Sequence, residues 1–416
     1  MRRLFLLAAL GALTACSDPS TPSHQAQQGQ KGTETAKVAP PAAQPSPTVP
    51  ADSSSILTLD HSQAGPPAVA ASDDSAAAQA AAEPPSSAPA QALEASAPAS
   101  SAASSSEASP LLAAIDQASL TAKASAPSGW TIKGVDPALI KLEVLLDRAG
   151  FSPGVIDGKD GQNLKQALAA YASAKGLDED AARRSLAMDS APVTQSYTIT
   201  AEDEKGPFIG DPPKDYELMA KLPALSYSSP LQALAEKFHM DQRLLKALNP
   251  EADFGKAGST ILAAAPRPEP RTFTAARIEV DKSKDEVRVY DASGALVAYY
   301  PATVGSTERP APSGDFKVVA VAHHPAYFYD PKRLTFAPEG ARGKLRIAPG
   351  PNNPVGDTWI ALNIPTYGIH GTPDPATIGK RQSHGCVRLT NWDAVELGKA
   401  VKKGVPVAFV GTERKA

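Results

Sequence analysis

Apolar positions recur at helical spacing between residues 136 and 178, and from Thr272 onward they alternate as strands require. Asp136-Pro137 offers an N-cap and a proline suited to the first helical position. Leu139, Ile140, Leu142, Leu145 and Leu146 form one face, and Gly150 ends the run. After the loop Phe151–Gly158, a second helix is predicted over Asn163–Lys175 and closed by Gly176. Two more helices, Pro230–Phe238 and Gln242–Asn249, precede Pro250 and the apolar run Gly258–Leu262. Ser196–Thr200 is the matching first strand, separated from the helices by an insertion at residues 201–226. Pro266–Arg271 reads as a stiff linker. Short strands are then predicted at Ala276–Val280, Glu286–Tyr290, Ala295–Tyr300, Phe316–Ala322, Leu345–Ile347, Trp359–Leu362, Thr366–His370 and Val405–Val410. The one helix evident among them is Trp392–Val401, with Asn391 as N-cap. The expectation is a mainly β domain over 272–411, a mixed sandwich or barrel.

The front of the chain has neither period. Residues 17–129 hold 13 charges, 15 prolines and no Phe, Tyr or Trp. Such a segment cannot bury enough apolar surface to offset chain entropy, so a disordered tether over 16–129 is expected. Met1-Arg2-Arg3 and the run Leu4–Leu13 form a leader over 1–15, too short to span a bilayer. Its end, Leu13-Thr14-Ala15-Cys16, resembles the bacterial lipobox, which implies a lipidated Cys16 and a periplasmic body anchored to a membrane. Ser17 stands where the lipobox scheme places Asp for inner-membrane retention, so the outer membrane is expected. The formal net charge of −3 leaves the body near neutral, which gives no support for nucleic-acid binding.

Candidate chemistry crowds into one stretch. Ile369-His370-Gly371-Thr372 is followed by Ser383-His384-Gly385-Cys386-Val387-Arg388-Leu389. The chain has two cysteines, and with Cys16 lipidated, Cys386 is the only thiol of the mature body. In an oxidising compartment structural cysteines come in pairs, so a single one is kept for packing or for reactivity. Gly385 allows a close backbone approach, and His384 and Arg388 bring positive character that favours thiolate. A zinc reading would draw on His370, His384, Cys386 and the pair His323-His324, but His384-x-Cys386 is a poor ligand spacing. His323-His324 adjoins Ala326-Tyr327-Phe328-Tyr329 and is expected to line or support a cleft, whereas Trp392 is expected in the core.

These residues resemble the signature of the L,D-transpeptidases, with their YkuD-type catalytic domain. The resemblance extends through Ala311–Phe316, Gly350–Gly356, Thr366–Ile369 and Leu389–Trp392. The order of His before Cys also fits that family, whereas papain-type peptidases reverse it. The resemblance implies Cys386 as nucleophile, His370 as base, and the Gly371 carbonyl orienting the imidazole. It further implies an oxyanion hole from backbone N–H groups at Cys386 and Gly385 or His384, with Arg388, Ser383 and Tyr367 meeting the substrate. No cofactor is implied. The implied reaction attacks a peptidoglycan stem peptide, releases D-Ala, forms a thioester and transfers the acyl group to an amine, giving 3→3 cross-links in cell-wall biogenesis. An L,D-endopeptidase or carboxypeptidase, or an enzyme of lipoprotein–wall linkage, would use the same site. Carbapenems are expected to acylate it.

Two further resemblances concern the region before the catalytic domain. Residues 130–180, with Gly150-Phe151-Ser152-Pro153-Gly154 and Ile156-Asp157-Gly158, are similar to the small helical peptidoglycan-binding domain, although Tyr171-Ala172 replaces its frequent Phe-Gln. Residues 196–265 resemble a LysM glycan-binding module through Asn249-Pro250 and the strand that follows. Glycan strands are thus a second expected partner, and a spacer role is the alternative.

Overall fold

The computed structural model describes residues 110–121, 130–306, 310–331, 343–380 and 385–413. Cys16, Ser383, His384, the leader and most of the expected tether lie outside the described residues.

Four helices open the described chain: α1 (Pro110–Asp116), α2 (Pro137–Ala149), α3 (Gln162–Lys175) and α4 (Glu179–Leu186). The expected cap of α2 is present, with the Asp136 carboxylate accepting from the Ala138 N–H and Gly150 in the left-handed region at the other end. The expected tether over 16–129 is corrected at its C-terminal end. Ile115 of α1 is fully buried, a contribution of about 1.5–3 kcal/mol. Asp116 accepts from the Val193 and Thr194 N–H groups at 2.8 and 3.0 Å and from the Thr194 hydroxyl at 2.7 Å. Composition hid this because a short amphipathic segment needs a partner from elsewhere in the chain to become stable.

The next segment is β1 (Thr194–Thr198), α5 (Ala201–Lys205), α6 (Tyr216–Met219), α7 (Pro230–Lys237), α8 (Gln242–Leu248) and β2 (Thr260–Ala264). β1 lies two residues before the expected Ser196–Thr200 and pairs antiparallel with β2, from Thr194↔Ala264 to Thr198↔Thr260. Asn249 ties α8 to β2, its amide donating to Leu262 O at 2.7 Å and its Oδ1 accepting from Leu262 N–H at 2.6 Å. One hydrophobic core serves both parts, since Ile140 and Leu145 belong to the same cluster as Leu234, Leu245 and Ile261. The loop at 151–157 sits inside this assembly. Phe151 bridges to Tyr299, and Ile156 bridges to Met240. Beneath the loop, buried Glu143 accepts from the Asp157 and Gly158 N–H groups at 3.1 and 2.8 Å.

The last region contains β3 (Arg277–Asp281), β4 (Glu286–Tyr290), β5 (Leu296–Pro301), β6 (Thr303–Val304), β7 (Gly314–His323), β8 (Tyr327–Tyr329) and β9 (Leu345–Ile347). It continues with β10 (Thr358–Leu362), β11 (Gly368–His370), β12 (Val387–Arg388), α9 (Asn391–Ala400) and β13 (Pro406–Val410). Nine strands form one mixed sheet in the order β5-β4-β3-β13-β7-β10-β11-β12-β6, and β8 pairs with β9 separately. β5 and β6 sit at opposite ends of that order, yet only Ala302 separates them in sequence. The sheet must therefore curl until its ends meet, which makes it barrel-like. One core accordingly includes Val289 and Ala298 from one end, Val304 and Val387 from the other, and Leu397 of α9.

Two expectations change here. Thr390, rather than Asn391, caps α9, its hydroxyl accepting from the Asp393 N–H at 3.2 Å. The Pro266–Arg271 linker is more than a spacer. Arg267 and Arg271 reach the buried Glu396 carboxylate of α9 at 2.6 and 3.1 Å, and the Tyr300 hydroxyl donates to it at 2.9 Å.

Candidate active site

β11 and β12 run parallel, with Ile369 opposite Val387 and His370 opposite Arg388. Ile369 and Val387 are both fully buried in the core. Strand alternation therefore sends His370, Arg388 and, one step before the strand, Cys386 to the opposite face. The sheet thus brings together side chains that lie sixteen positions apart in sequence.

His370 is buried, and its Nδ1 lies 2.6 Å from Gly371 O. A carbonyl only accepts, so Nδ1 carries the proton and Nε2 keeps its lone pair. The ring also stacks on Trp359, centroids 5.4 Å apart and planes 24° from parallel. Burial and then the Arg388 charge lower the imidazole to about 3, outweighing the Gly371 hydrogen bond that raises it. Burial also raises the Cys386 thiol, against the lowering effects of a Gly368 backbone hydrogen bond and of Arg388. The expected positive character comes from His384 and Arg388, of which His384 lies outside the described residues. Arg388 lowers the thiol as expected, while burial acts the other way and disfavours the charged form of both groups.

The glycines here have steric reasons. Gly385 has φ +116°, and a Cβ on it would meet the Tyr367 hydroxyl at 3.0 Å. Tyr367 Oη in turn donates to Pro310 O at 3.4 Å. Thr366, in the left-handed region at φ 68°, turns its carbonyl toward Cys386 Sγ at 3.6 Å. The space a Cβ on Gly371 would need is held by the Asn391 amide. Asn391 Nδ2 donates to Glu236 Oε2 at 3.0 Å and to Pro351 O at 3.2 Å, while its Oδ1 accepts from the Asp357 N–H at 3.3 Å. Glu236 belongs to α7, outside the β domain, and nothing in its local sequence marks it for this position.

Arg388 is partly buried. Its charge opposes the burial that raises the Tyr216 and Tyr327 hydroxyls, and Tyr327 also feels Cys386. His323 and His324 are exposed; His323 packs near Gly398 of α9, and His324 lies 3.4 Å from Asp357. Neither is among the groups that shift His370 or Cys386. Among the described residues no three His, Cys, Asp or Glu side chains are grouped to hold a metal ion. Trp392, expected in the core, is partly buried and stacks on His239 of the preceding region at 4.8 Å and 8°. That histidine is also paired with Asp147 at 3.0 Å.

Residues 275–408 match the family model of the L,D-transpeptidase catalytic domain. The chain is 31% identical over 181 residues to the L,D-transpeptidase YkuD of Bacillus licheniformis, covering 43% of this chain and 92% of that one. It is 41% identical over 78 residues to the Bacillus subtilis protein of the same name, covering 19% of this chain and 48% of that one. Among solved structures it is similar to L,D-transpeptidase 3 from Mycobacterium tuberculosis, at 18% identity and a TM-score of 0.28, covering 37% of this chain and 75% of that one. With His370 and Cys386 both inside the matched segment, the chain belongs to the L,D-transpeptidase family and is an L,D-transpeptidase.

Proposed function

We propose that this enzyme transfers acyl groups between peptidoglycan stem peptides through a thioester at Cys386. The observation that carries the reading is His370, fixed in one tautomer by Gly371 O at 2.6 Å, on the strand face it shares with Cys386. His370 Nε2 takes the thiol proton as Sγ attacks the carbonyl between the third stem residue and the terminal D-Ala. Backbone N–H groups at Cys386 and at Gly385 or His384 stabilise the oxyanion. The proton passes to the departing D-Ala amine, and the C–N bond is replaced by C–S. An acceptor amine then attacks the thioester and gives its proton to His370, and Cys386 leaves as the thiol. With a neighbouring stem as acceptor the product is a 3→3 cross-link. Arg388, Tyr367 and Ser383 hold the donor peptide.

Burial disfavours the charged form of both groups, which supports base action concerted with attack. A preformed ion pair is not required. The enzyme works in the periplasm, held to the outer membrane through lipidated Cys16. The regions at 130–180 and 196–265 resemble wall-binding modules, but they spend the 151–157 loop on internal contacts. Their first role in this reading is to support the catalytic domain.

The test has two parts. Mass spectrometry of the full chain after the leader should show a stoichiometric carbapenem adduct, absent in Cys386→Ala. An unmodified wild-type protein would remove Cys386 from the nucleophile role. Stem-peptide digests from cells lacking the protein should then show loss of 3→3 dimers. Accumulation of uncleaved L,D-linked or lipoprotein-linked fragments would replace transfer with hydrolysis.

A further inference from the structure

Helix α7 turns a polar edge toward the β domain. Gln232 and Glu236, one helical turn apart and so on one face, are both buried. Gln232 Nε2 donates to Asn352 Oδ1 at 2.9 Å, and Asn352 Nδ2 donates to Ser226 O at 2.7 Å. Glu236 reaches further, its Oε2 accepting from Asn391 Nδ2 at 3.0 Å. Stability alone does not call for a carboxyl at this place. An apolar side chain would avoid the desolvation cost, and Glu236 Oε1 has no hydrogen-bond partner among the described residues.

What Glu236 holds lies against the catalytic base. The Asn391 amide fills the side-chain space of two glycines, since a Cβ on either Gly356 or Gly371 would collide with Asn391 Oδ1. The Nδ2 end of that amide is taken by Glu236 Oε2 and by Pro351 O at 3.2 Å, and the Oδ1 end accepts from the Asp357 N–H at 3.3 Å. An amide has one donor end and one acceptor end, so two acceptors on one side fix which way it points. Gly371 is thus braced by Asn391 and, through its own N–H, by Thr358 O at 3.2 Å. The carbonyl of the same residue stands 2.6 Å from His370 Nδ1. Every link from α7 to the imidazole is a direct contact: Glu236 to Asn391, Asn391 to Gly371, Gly371 to His370.

We infer that Glu236 is a positioning residue for the catalytic base, acting from outside the catalytic domain through Asn391 and Gly371. This role rests on the acyl transfer proposed above and adds to it a residue that works only through others. Removing the Glu236 acceptor leaves an Asn391 Nδ2 hydrogen buried and unpaired, so the amide shifts or turns. Gly371 then loses its brace, and its carbonyl no longer holds the imidazole in one tautomer and one orientation. The loss falls on the chemical step rather than on binding.

The experiment compares wild type with Glu236→Gln, Glu236→Leu, Asn391→Ala and Arg267→Ala, each as the full chain after the leader. Mass-spectrometric time courses at several carbapenem concentrations separate the limiting acylation rate from the apparent binding constant. NMR of isotope-labelled imidazoles follows the His370 Nδ1–H, assigned by its absence in His370→Gln. Leu keeps the bulk but offers no acceptor. Its limiting rate should fall about tenfold or more with the binding constant within about threefold, and the Nδ1–H signal should be lost to exchange with water. Gln offers an acceptor of the same reach and should keep at least about half the wild-type rate, together with the signal. Arg267→Ala breaks the linker's hold on Glu396, leaves the Glu236–Asn391 bond in place and should stay within about twofold of wild type. A wild-type rate in Glu236→Leu, an equal loss in Arg267→Ala, or no recovery in Glu236→Gln would overturn the assignment. Should Glu236→Leu fail to fold, Asn391→Ala removes the same link from its other side, and a wild-type rate there would overturn it equally. A wild type that carbapenem never acylates would sink the proposed reaction, whereas an acylated wild type beside an unaffected Glu236→Leu would sink this assignment alone.

Discussion

Replacing Glu236 by Gln should change how stability depends on pH. Glu236 is buried on α7, with Oε2 accepting from Asn391 Nδ2 and Oε1 without a hydrogen-bond partner among the described residues. Burial first, and then the Asp357 charge, raise its carboxyl from 4.5 to about 8, against the lowering effect of the Asn391 bond. Tyr227, Asp147, Lys237, His239 and Arg267 line the same cavity, about 300 Å³ in volume. A carboxyl raised on folding contributes stability that is complete below its unfolded pKa and is lost as pH climbs through the folded value. Between about 4.5 and 8 the folded chain holds a proton that the unfolded chain has released. The slope approaches 1.4 kcal/mol per pH unit, so about 4 kcal/mol is lost between pH 5 and pH 8. Gln keeps an acceptor for Asn391 and carries no titrating proton, so Glu236→Gln removes this loss. Urea-unfolding midpoints of the two proteins at pH 5, 6.5 and 8 measure it, because the raised acids Glu143, Glu286 and Asp393 act equally in both, and Asp357, also raised, loses only its repulsion with Glu236 in the variant. The variant's advantage should widen steadily with pH. A constant difference across that range would refute the reasoning.

Three other outcomes follow from the geometry. Glu396→Ala leaves Arg267, Arg271 and Tyr300 facing an empty site and should cost about 3–5 kcal/mol by thermal or urea unfolding; a loss under about 1 kcal/mol would show that the clasp is not stabilising. Because His370 is lowered to about 3, it remains the neutral base far below pH 6.5. Carbapenem acylation should accordingly change less than about threefold between pH 7 and pH 5, and a tenfold fall centred near 6.5 would contradict that lowering. Gly385→Ala forces a side chain into a left-handed backbone and toward the Tyr367 hydroxyl, so acylation should fall by roughly 100-fold with partial recovery on adding Tyr367→Phe. Acylation of the single variant at the wild-type rate would count against it.

Local signals served well wherever the partner lay within a few residues. Asp136 caps α2 from two positions away, and Gly150 closes the same helix, so composition and spacing alone were sufficient. Alternation located β4 and β9 to the residue, and β10 and β13 within one. The very short strands β6 and β12 escaped because two residues carry no period, and they exist only through pairing, β6 with β12 and β12 with β11 as well. α1 escaped for a related reason, since Leu111, Leu112 and Ile115 make only a seven-residue apolar segment at the end of a polar, alanine-rich stretch until the rest of the core receives it.

The His370-Gly371 and Ser383–Leu389 motifs pointed to cysteine chemistry on their own, because nucleophile, base and close-approach glycines sit on short contiguous stretches. What the sequence could not determine was the setting of that chemistry. Whether Arg388 or burial governs the thiol depends on how deeply the site is desolvated. Glu236 reaches Asn391 across 155 positions, Arg271 reaches Glu396 across 125, and Tyr216 meets Tyr329 from another region of the fold. Periodicity and caps act through neighbours along the chain, so they can be read one segment at a time. Desolvation and long-range partnership arise only once distant elements pack together, and that packing decided how deeply the site is desolvated and which outside residues support it.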